Sequence, residues 1–451
     1  MLKRKIEKHI EGYLASDSNK MLIISGARQI GKSYIIRYVG SKMFKNFIEV
    51  NMAEDANGKR LFAEAKSTDD FYLALSSVAG EKLGTKSDTL VFIDEIQTYS
   101  HLLTMIKFLK ADDRYTYIAS GSLLGVALKS TTSIPIGSMT LERMYPLDFE
   151  EFLWANGAGE EAISKMREAF EKRESLSESI HKYLLDLFKK YLLVGGLPDA
   201  VNEFVATKNI VAVRHIQEDV RRMYKLDAAT YERDSKAKLK IVRIYDMISS
   251  NLGNKKKRVV AKDIEDKKNA RMDSYADEFE YLVSSGTALE VRAVSKPSYP
   301  LAANVGKNLL KLYFNDIGIF TGILYGNDIL SVMKDESSIN LGSVYESVVA
   351  QELAAHGFDL CYYDNKKKGE VDFLIDDVRS QSVVPIEVKS GKDYSIHKAL
   401  DRFLDVEEYH ISNALVLSND RILRQDGRTL YSPIYNIMFL QKNTETEIIL
   451  N

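Results

Sequence analysis

Cysteine is almost missing from this chain. The single one, Cys361, among 451 residues excludes an internal disulfide and any zinc site built from cysteines. Long apolar runs are missing too: no stretch approaches the roughly 20 residues that cross a bilayer, and the opening Met1-Leu2-Lys3-Arg4-Lys5-Ile6-Glu7 turns charged too soon for a secretory leader. The expectation is a cytoplasmic protein with no membrane partner. An excess of one charge is likewise absent, since 62 Lys and Arg face 64 Asp and Glu for a net charge of −2. Such a chain has no global attraction for nucleic acid, so contact of that kind has to come from local clusters. Internal repeats, low-complexity tracts and long linkers are not visible, and domain boundaries have to be read from changes of pattern. What is present is ordinary for globular proteins, 45% hydrophobic and 28% charged residues, over a length that accommodates about three domains.

Gly26-Ala27-Arg28-Gln29-Ile30-Gly31-Lys32-Ser33 is a complete G-x-x-x-x-G-K-[ST] loop. It stands between a strand-like run, Met21-Leu22-Ile23-Ile24-Ser25, and a helix-like run that begins at Lys32. A glycine turn alone satisfies the spacing, but the strand before and the helix after are the context a phosphate cradle requires. The two glycines let successive backbone N–H groups face a triphosphate, and the helix N-terminus adds the positive end of its dipole. ATP with Mg²⁺ is the expected ligand, the whole loop from Gly26 to Ser33 lining it, with Lys32 on the β- and γ-phosphates and the Ser33 hydroxyl on the metal.

Thr89-Leu90-Val91-Phe92-Ile93 is a continuous apolar run, as in a strand buried on both faces of a parallel sheet, and it ends in Asp94-Glu95. Ligands of open α/β sheets bind at the carboxyl ends of such strands. Asp94 is expected to hold a water of the Mg²⁺ shell and Glu95 to polarise the water that attacks the γ-phosphate. A solvated loop start explains Asp-Glu in isolation; downstream of a full phosphate loop the functional reading is the better one. A further strand candidate, Arg114-Tyr115-Thr116-Tyr117-Ile118-Ala119, closes on Ser120-Gly121-Ser122. Ser120 or Ser122 is placed to sense the γ-phosphate, although turn chemistry also accounts for serine beside glycine. The three segments resemble the AAA-type and STAND-like ATPase core over roughly residues 1–155. That resemblance implies a parallel sheet with the phosphate-loop strand at its centre.

Strand patterns stop at Tyr145-Pro146-Leu147-Asp148-Phe149-Glu150-Glu151-Phe152-Leu153, and helical periodicity runs on to about residue 225. Pro146, Asp148 and the two glutamates are helix-start chemistry. Within this stretch Gly195-Gly196-Leu197-Pro198 resembles the turn in the helical lid of STAND-type ATPases, where the proline packs near the adenine. The resemblance makes Pro198 a nucleotide-contact candidate; a plain helix-to-helix turn explains the same residues. From Lys238 to Ala303 three helix candidates, Leu239 to Leu252, Val259 to Lys268 and Asp273 to Ser285, precede an extended hairpin-like segment around Ala288 to Val294, the order of a winged helix. Its third helix carries Asp273, Asp277, Glu278 and Glu280, acids that raise the cost of approaching phosphates, so the unit reads as an interdomain or protein-contact module. The basic runs Arg221-Arg222, Lys255-Lys256-Lys257-Arg258 and Lys366-Lys367-Lys368 each read as a solvated face.

A second constellation closes the chain. A helix around Gly342 to Val349 carries Glu346; a basic turn after Tyr362-Tyr363 leads into Gly369-Glu370-Val371-Asp372-Phe373-Leu374-Ile375; and Val383 to Lys389 reads Val-Val-Pro-Ile-Glu-Val-Lys. Side chains alternate along a strand, so Glu387 and Lys389 share a face. Asp372 on the neighbouring strand would complete an oxygen-ligand site with Glu387 for a hard divalent cation, and Lys389 is placed to neutralise charge on a scissile phosphate. A helix from Ile396 to Tyr409 and a strand Ala414 to Leu417 follow, giving helix, three strands, helix, strand.

This order, with Glu346, Asp372 and Glu387-x-Lys389, resembles the PD-(D/E)XK nuclease fold. Combined with the ATPase core, the Gly-Gly-Leu-Pro turn, Lys311-Leu312-Tyr313-Phe314-Asn315-Asp316-Ile317-Gly318, Tyr345-Glu346 and Pro385-Ile386-Glu387-Val388-Lys389, it looks like one family, the prokaryotic AAA-type ATPases carrying the C-terminal domain of unknown function 4143. The resemblance implies ATP binding and a nuclease-like fold. Val371 departs from the proline common before the aspartate, and Asp148 from a serine of the Tyr-Pro-Leu-Ser-Phe segment, while the basic residue before that segment is shifted to Arg143. A trans-acting arginine is left open between Arg143 and Arg28.

The expected architecture is an α/β multidomain chain: a P-loop ATPase core with a parallel sheet over residues 1–155, a helical lid over 156–235, a winged-helix-like unit over 236–310 and a PD-(D/E)XK-like αβββαβ domain over 311–451. Two functions stay open. One is an ATP-dependent DNA-processing enzyme whose nucleotide state gates a Mg²⁺-dependent nuclease built on Glu346, Asp372, Glu387 and Lys389. The other is a regulatory ATPase switch whose nuclease-like domain binds nucleic acid or protein without cutting. Expected partners are ATP, DNA at the C-terminal domain, and a second copy of the chain or another protein.

Overall fold

Five strands carry the N-terminal third: β1 (Met21–Ser25), β2 (Asn46–Asn51), β3 (Thr89–Asp94), β4 (Thr116–Gly121) and β5 (Met139–Arg143). A computed structural model describes residues 1–130, 136–231, 235–254, 257–334, 341–390 and 395–442. The five strands are all parallel, in the order β2-β3-β4-β1-β5. Parallel strands with helical crossovers are covered on both faces, which is why their sequences read as unbroken apolar runs. Met21, Ile23, Val91, Ile93, Tyr117 and Ala119 pack with Phe71, Leu75, Leu103 and Ile106 of the helices Thr68–Ala79 and Ser100–Asp112. Leu22, Ile24, Leu90, Phe92 and Ile118 on the alternate positions are buried as well.

The resemblance put the phosphate-loop strand at the centre of the sheet, and this is corrected: β4 is the middle strand and β1 lies one place from the edge. Two strands, β2 and β3, extend the sheet beyond β4, whereas only β5 flanks β1 on the other side. β5 is half exposed and has no apolar run to announce it.

By internal contacts the chain forms two units, one of Lys3–Tyr145 with Glu280–Thr287 and another of Pro146–Phe279 with Ala288–Asn451. The second unit begins with helices. Asp148 caps the helix Phe149–Ala155: Glu151 N–H donates to its Oδ1 at 2.9 Å, and the Glu151 carboxylate receives the Asp148 N–H at 3.3 Å. This reciprocal capping box needs an acceptor side chain at the cap, a role aspartate fills in place of serine. The helices Glu160–Glu171, Glu178–Val194, Pro198–Thr207 and Ile210–Tyr231 follow.

The three winged-unit helix expectations resolve as Ser235–Gly253, the short Ala261–Glu265, and a 3₁₀ turn leading into Ala276–Ser284. One of the acids on the third, Glu278, is buried and pairs with Lys240 at 3.3 Å, so it does not face solvent. The hairpin is β6 (Ala288–Val294) with β7 (Val305–Phe314), joined antiparallel. It belongs to the same eight-stranded mixed sheet as β8 (Cys361–Asn365), β9 (Gly369–Asp377), β10 (Ser382–Val388), β11 (Ala414–Ser418), β12 (Arg424–Asp426) and β13 (Thr429–Pro433), ordered β12-β13-β11-β10-β9-β8-β6-β7.

The helix Leu341–Ala355, strands β8, β9 and β10, the helix Lys398–Leu404 and strand β11 give the anticipated αβββαβ order. The last helix is shorter than Ile396 to Tyr409 because it caps at Asp405 and Glu407–Tyr409 form a separate 3₁₀ turn. No helix among the described residues is long and apolar enough to cross a membrane.

The two family-like turns of the second unit meet each other. Asp316 is fully buried and accepts from the Gly196 N–H at 2.6 Å and the Ile319 N–H at 3.1 Å, capping the helix Ile317–Tyr325. Gly195 has φ +70°, and a Cβ there would lie 2.3 Å from the Asp316 carboxylate. The Gly-Gly-Leu-Pro and Asn-Asp-Ile-Gly segments therefore act as one buried joint, with Gln351 accepting the Ile317 N–H at 2.7 Å.

Candidate functional site

The phosphate loop has the backbone its sequence demands. Gly26, Gln29 and Gly31 take φ of +140°, +63° and +92°, and Gly31 delivers the chain into the helix Lys32–Met43. A Cβ on Gly26 would lie 2.3 Å from the Met144 carbonyl, so no other residue fits there without moving the loop. Ala27 and Ile30 are buried, while Arg28 and Gln29 are exposed. Arg4 braces the loop from outside, donating to the Ile30 carbonyl at 3.0 Å and the Tyr145 carbonyl at 2.7 Å. Lys32 is buried, and its ammonium donates to the Gly26 and Ala27 carbonyls at 2.9 and 2.7 Å.

Asp94 gathers the acidic side of the site. It accepts from the Ser33 hydroxyl at 3.0 and 3.1 Å, from Asn51 Nδ2 at 3.1 Å, and from the Ser120 hydroxyl. Asn51 reaches it because the β2–β3 register sets Asn51 directly beside Asp94. Glu95 sits in a left-handed turn at φ +51°, and its Oε2 accepts from Gln97 Nε2 and, at 3.1 Å, from the Ser122 hydroxyl. The two serines left as alternatives thus divide between the acids, Ser120 on Asp94 and Ser122 on Glu95. Arg4, Asn51 and Gln97 escaped the sequence reading, because Asn51 is brought in by strand register, Gln97 by the 3₁₀ turn after β3 and Arg4 by a contact 26 residues away in sequence, none of them by a motif.

The donor set fits Mg²⁺ and a triphosphate. Ser33 and Asp94 carry neighbouring hard oxygen atoms, Lys32 is a cation resting on the loop's own carbonyls, and Gln97 Oε1 is buried without a hydrogen-bond partner. Arg143, one of the two trans-arginine candidates, is engaged in cis, donating to the Val283 carbonyl at 2.6 Å.

Val283 belongs to the Glu280–Thr287 segment, which packs on the loop within the same unit. Gly286, at φ +77°, lies so close that a Cβ would stand 2.8 Å from the Ala27 nitrogen. Gly286→Ala must therefore adopt a disfavoured φ and press on the first turn of the loop. ATP affinity is expected to fall about tenfold, equivalent to ~1.4 kcal/mol, in calorimetric titrations of a variant shown by thermal unfolding to be folded.

Residues 18–153 match the family model of the AAA domain. The N-terminal unit is a P-loop ATPase core. Residues 341–437 of the ATPase match the domain of unknown function 4143, as the sequence resemblance implied, and residues 185–328 match the domain of unknown function 8612, which it did not anticipate. An uncharacterized protein of Methanocaldococcus jannaschii is 25% identical over 367 residues, covering 79% of this chain and 72% of that one. Among solved structures, the Walker-type ATPase of Pyrococcus abyssi shares 14% identity over 74% of this chain and 96% of that chain, with a TM-score of 0.43. A RuvB variant of Thermotoga maritima shares 12% over 64% of this chain and 89% of that one, with a TM-score of 0.29.

The C-terminal constellation lies in the second unit. Phe373 pairs with Ile386 across β9 and β10, and Asp372 Oδ2 accepts the Val388 N–H at 2.8 Å. Lys389 donates to Glu387 Oε1 at 2.7 Å, confirming the shared face, while the other Glu387 oxygen is buried with no partner. Glu346, on the helix Leu341–Ala355, is buried and pairs with Lys257. Burial, reinforced by the charge of Asp372, pushes Glu346 up to about 7 and Glu387 up to about 8. Lys257 is raised as well: burial pulls it down, and the Glu346 and Asp372 charges outweigh that pull.

Glu346, Asp372 and Glu387 are thus within electrostatic reach of one another, brought from a helix and two strands. Among the described residues no three of His, Cys, Asp and Glu converge as a ready-made metal site. Of the basic runs, Arg221 and Arg222 are both taken up by Glu218. Lys366 and Lys367 are exposed in the turn between β8 and β9, and Lys255 and Lys256 lie outside the described residues. Pro198 is the first residue of its helix, and the turn before it is spent on Leu147 and Asp316, within its own unit.

Proposed function

We propose that ATP binding and hydrolysis at the loop Gly26–Ser33 control a Mg²⁺-dependent nuclease-like site in the C-terminal domain that acts on DNA. On the ATPase side, Lys32 would leave the Gly26 and Ala27 carbonyls for the β- and γ-phosphates, and Ser33 and Asp94 would hold the metal. Glu95, kept in place by Gln97 and Ser122, takes the proton of the attacking water. Bound Mg²⁺ supplies neutralisation of charge on the triphosphate. Ser120 senses the γ-phosphate through Asp94, and a second copy of the chain is the source of a trans arginine if Arg28 fills that role.

The observation that carries the nuclease reading is the buried Glu387 carboxylate oxygen left without a partner, on a side chain that lies beside Lys389 and within electrostatic reach of Asp372 and Glu346. A buried acceptor with nothing to accept from is costly, and a cation would satisfy it. Asp372 and Glu387 would hold that cation, Lys389 would balance charge on the phosphate under attack, and Glu346 would assist. The exposed Lys366 and Lys367 at the head of β9 supply the local positive charge that DNA contact needs.

The test is cleavage of plasmid and single-stranded DNA with Mg²⁺ or Mn²⁺. Asp372→Ala and Lys389→Ala should each lower cleavage by about 100-fold or more, while ATP turnover stays at the wild-type rate because the loop lies in the other unit. Absence of cleavage by the wild type with either metal sinks the nuclease assignment. It leaves the second reading, a non-cutting switch, which the Lys257–Glu346 pair favours because it already satisfies one of the acids.

A further inference from the structure

Lys257 does not behave as one member of a solvated basic run. It comes from the connection between the helices Ser235–Gly253 and Ala261–Glu265, outside the C-terminal αβββαβ segment, yet its ammonium pairs with Glu346 of the helix Leu341–Ala355. Its side chain is 18% exposed and that of Glu346 is 6% exposed, so water screens the pair weakly. Arg258 beside it pairs with Asp364 on β8 at 2.8 Å, and the Val259 N–H donates to the Leu310 carbonyl on β7. Lys257 thus ties this connection to the helix Leu341–Ala355, and Arg258 and Val259 tie it to the sheet. The backbone bears a cost for it: Lys257 has φ +50°, a left-handed conformation disfavoured for a residue with a Cβ.

The charge pattern shows what the lysine does. Lys311 pairs with Glu370 at 2.5 Å, Lys389 with Glu387 at 2.7 Å, Arg258 with Asp364 and Lys257 with Glu346. Asp372 has no ion-pair partner among the described residues, and one Glu387 oxygen is unsatisfied. Lys257 comes from outside the carboxylate-bearing strands and engages Glu346, the acid of this group that the helix carries. While that pair stands, Glu346 is turned to an ammonium and not to a metal shared with Asp372 and Glu387.

We propose that Lys257 is a built-in latch of the C-terminal site, an ammonium that holds Glu346 in place of a divalent cation, so that metal loading requires Lys257 to let go of Glu346. The inference rests on the metal-site reading given above. It places the control of that site in a connection of the second unit, on one side chain.

The test is Mn²⁺ binding to the full chain without nucleotide, followed by electron paramagnetic resonance of the free ion, with Asp372→Asn used to identify the C-terminal site. Lys257→Ala and Lys257→Gln should tighten the Asp372-dependent site at least tenfold, while Lys257→Arg, which keeps the charge, should stay near the wild type. In the wild type, Mn²⁺ should speed tryptic cleavage after Lys257, read by mass spectrometry, because the side chain is released from Glu346; this arm needs no variant to fold. Equal Mn²⁺ affinity in wild type and Lys257→Ala, with no change in cleavage after Lys257, overturns the latch and leaves the metal site standing. No Asp372-dependent Mn²⁺ binding in any of these proteins overturns the metal-site reading itself, and the latch with it.

Discussion

Lys32→Ala is expected to weaken ATP binding by on the order of 100-fold. A charge-assisted hydrogen bond contributes about 1.5–3 kcal/mol, and Lys32 can make two: it now spends them on the Gly26 and Ala27 carbonyls at 2.9 and 2.7 Å. Exchanging these for phosphate oxygens turns a weak internal contact into an ion pair in a buried site. Alanine removes the cation and leaves the triphosphate to the backbone dipoles and the metal. Glu95→Gln should behave differently. The amide keeps the shape and a carbonyl oxygen for Gln97 and Ser122 but cannot take a proton, so ATP should bind with near wild-type affinity while turnover drops by about 10²–10⁴-fold. Calorimetry with ATP and Mg²⁺, followed by phosphate-release rates, separates the two effects. Unchanged affinity in the Lys32 variant contradicts the loop assignment.

The second large effect concerns stability. Asp316→Ala should destabilise the second unit by about 3–5 kcal/mol, because truncating one member of a buried charged hydrogen-bond set strands the others. The stranded groups are the N–H donors of Gly196, Ile319, Gly318 and Leu197. Burial outweighs these four donors and pushes Asp316 from 3.8 up to about 6. The sign follows from linkage. A carboxyl raised on folding binds its proton more tightly in the folded state, so its stabilising contribution is complete below pH 3.8 and is lost as pH rises through 6. Two pH units of this kind correspond to ~3 kcal/mol. The stability difference between wild type and Asp316→Asn, from denaturant unfolding at several pH values, should therefore shrink from pH 4 to pH 6 and be flat above about 7. A difference that grows over that range would falsify the assignment.

The sequence made the chemistry legible and its supports illegible. β1, β3 and the αβββαβ order were readable because buried strands leave unbroken apolar runs, and the glycines at 26 and 31 because the φ they need admits little else. β5 and the three-residue β12 were not, being half exposed or too short to carry a period. Asn51 reaches Asp94 only through the β2–β3 register, 43 residues away in sequence. The Gly-Gly-Leu-Pro and Asn-Asp-Ile-Gly segments each stood out, but nothing in either said that Gly196 would donate to Asp316, 120 residues on. Lys257 read as solvated because a run of four basic residues usually is; its burial against Glu346 is a tertiary fact. Gly286 had no local signal at all, since the neighbour that requires glycine is Ala27.

The central claim, that nucleotide state governs the C-terminal site, is tested most directly by the rate of DNA cleavage with Mn²⁺ in the presence of ATP, ADP or no nucleotide, for the wild type and for Glu95→Gln. The predicted result is a rate that differs between the ATP and ADP states of the wild type, and a Glu95→Gln protein that stays at the ATP-state rate for as long as ATP is bound. Equal rates under all three conditions, in both proteins, contradict the claim.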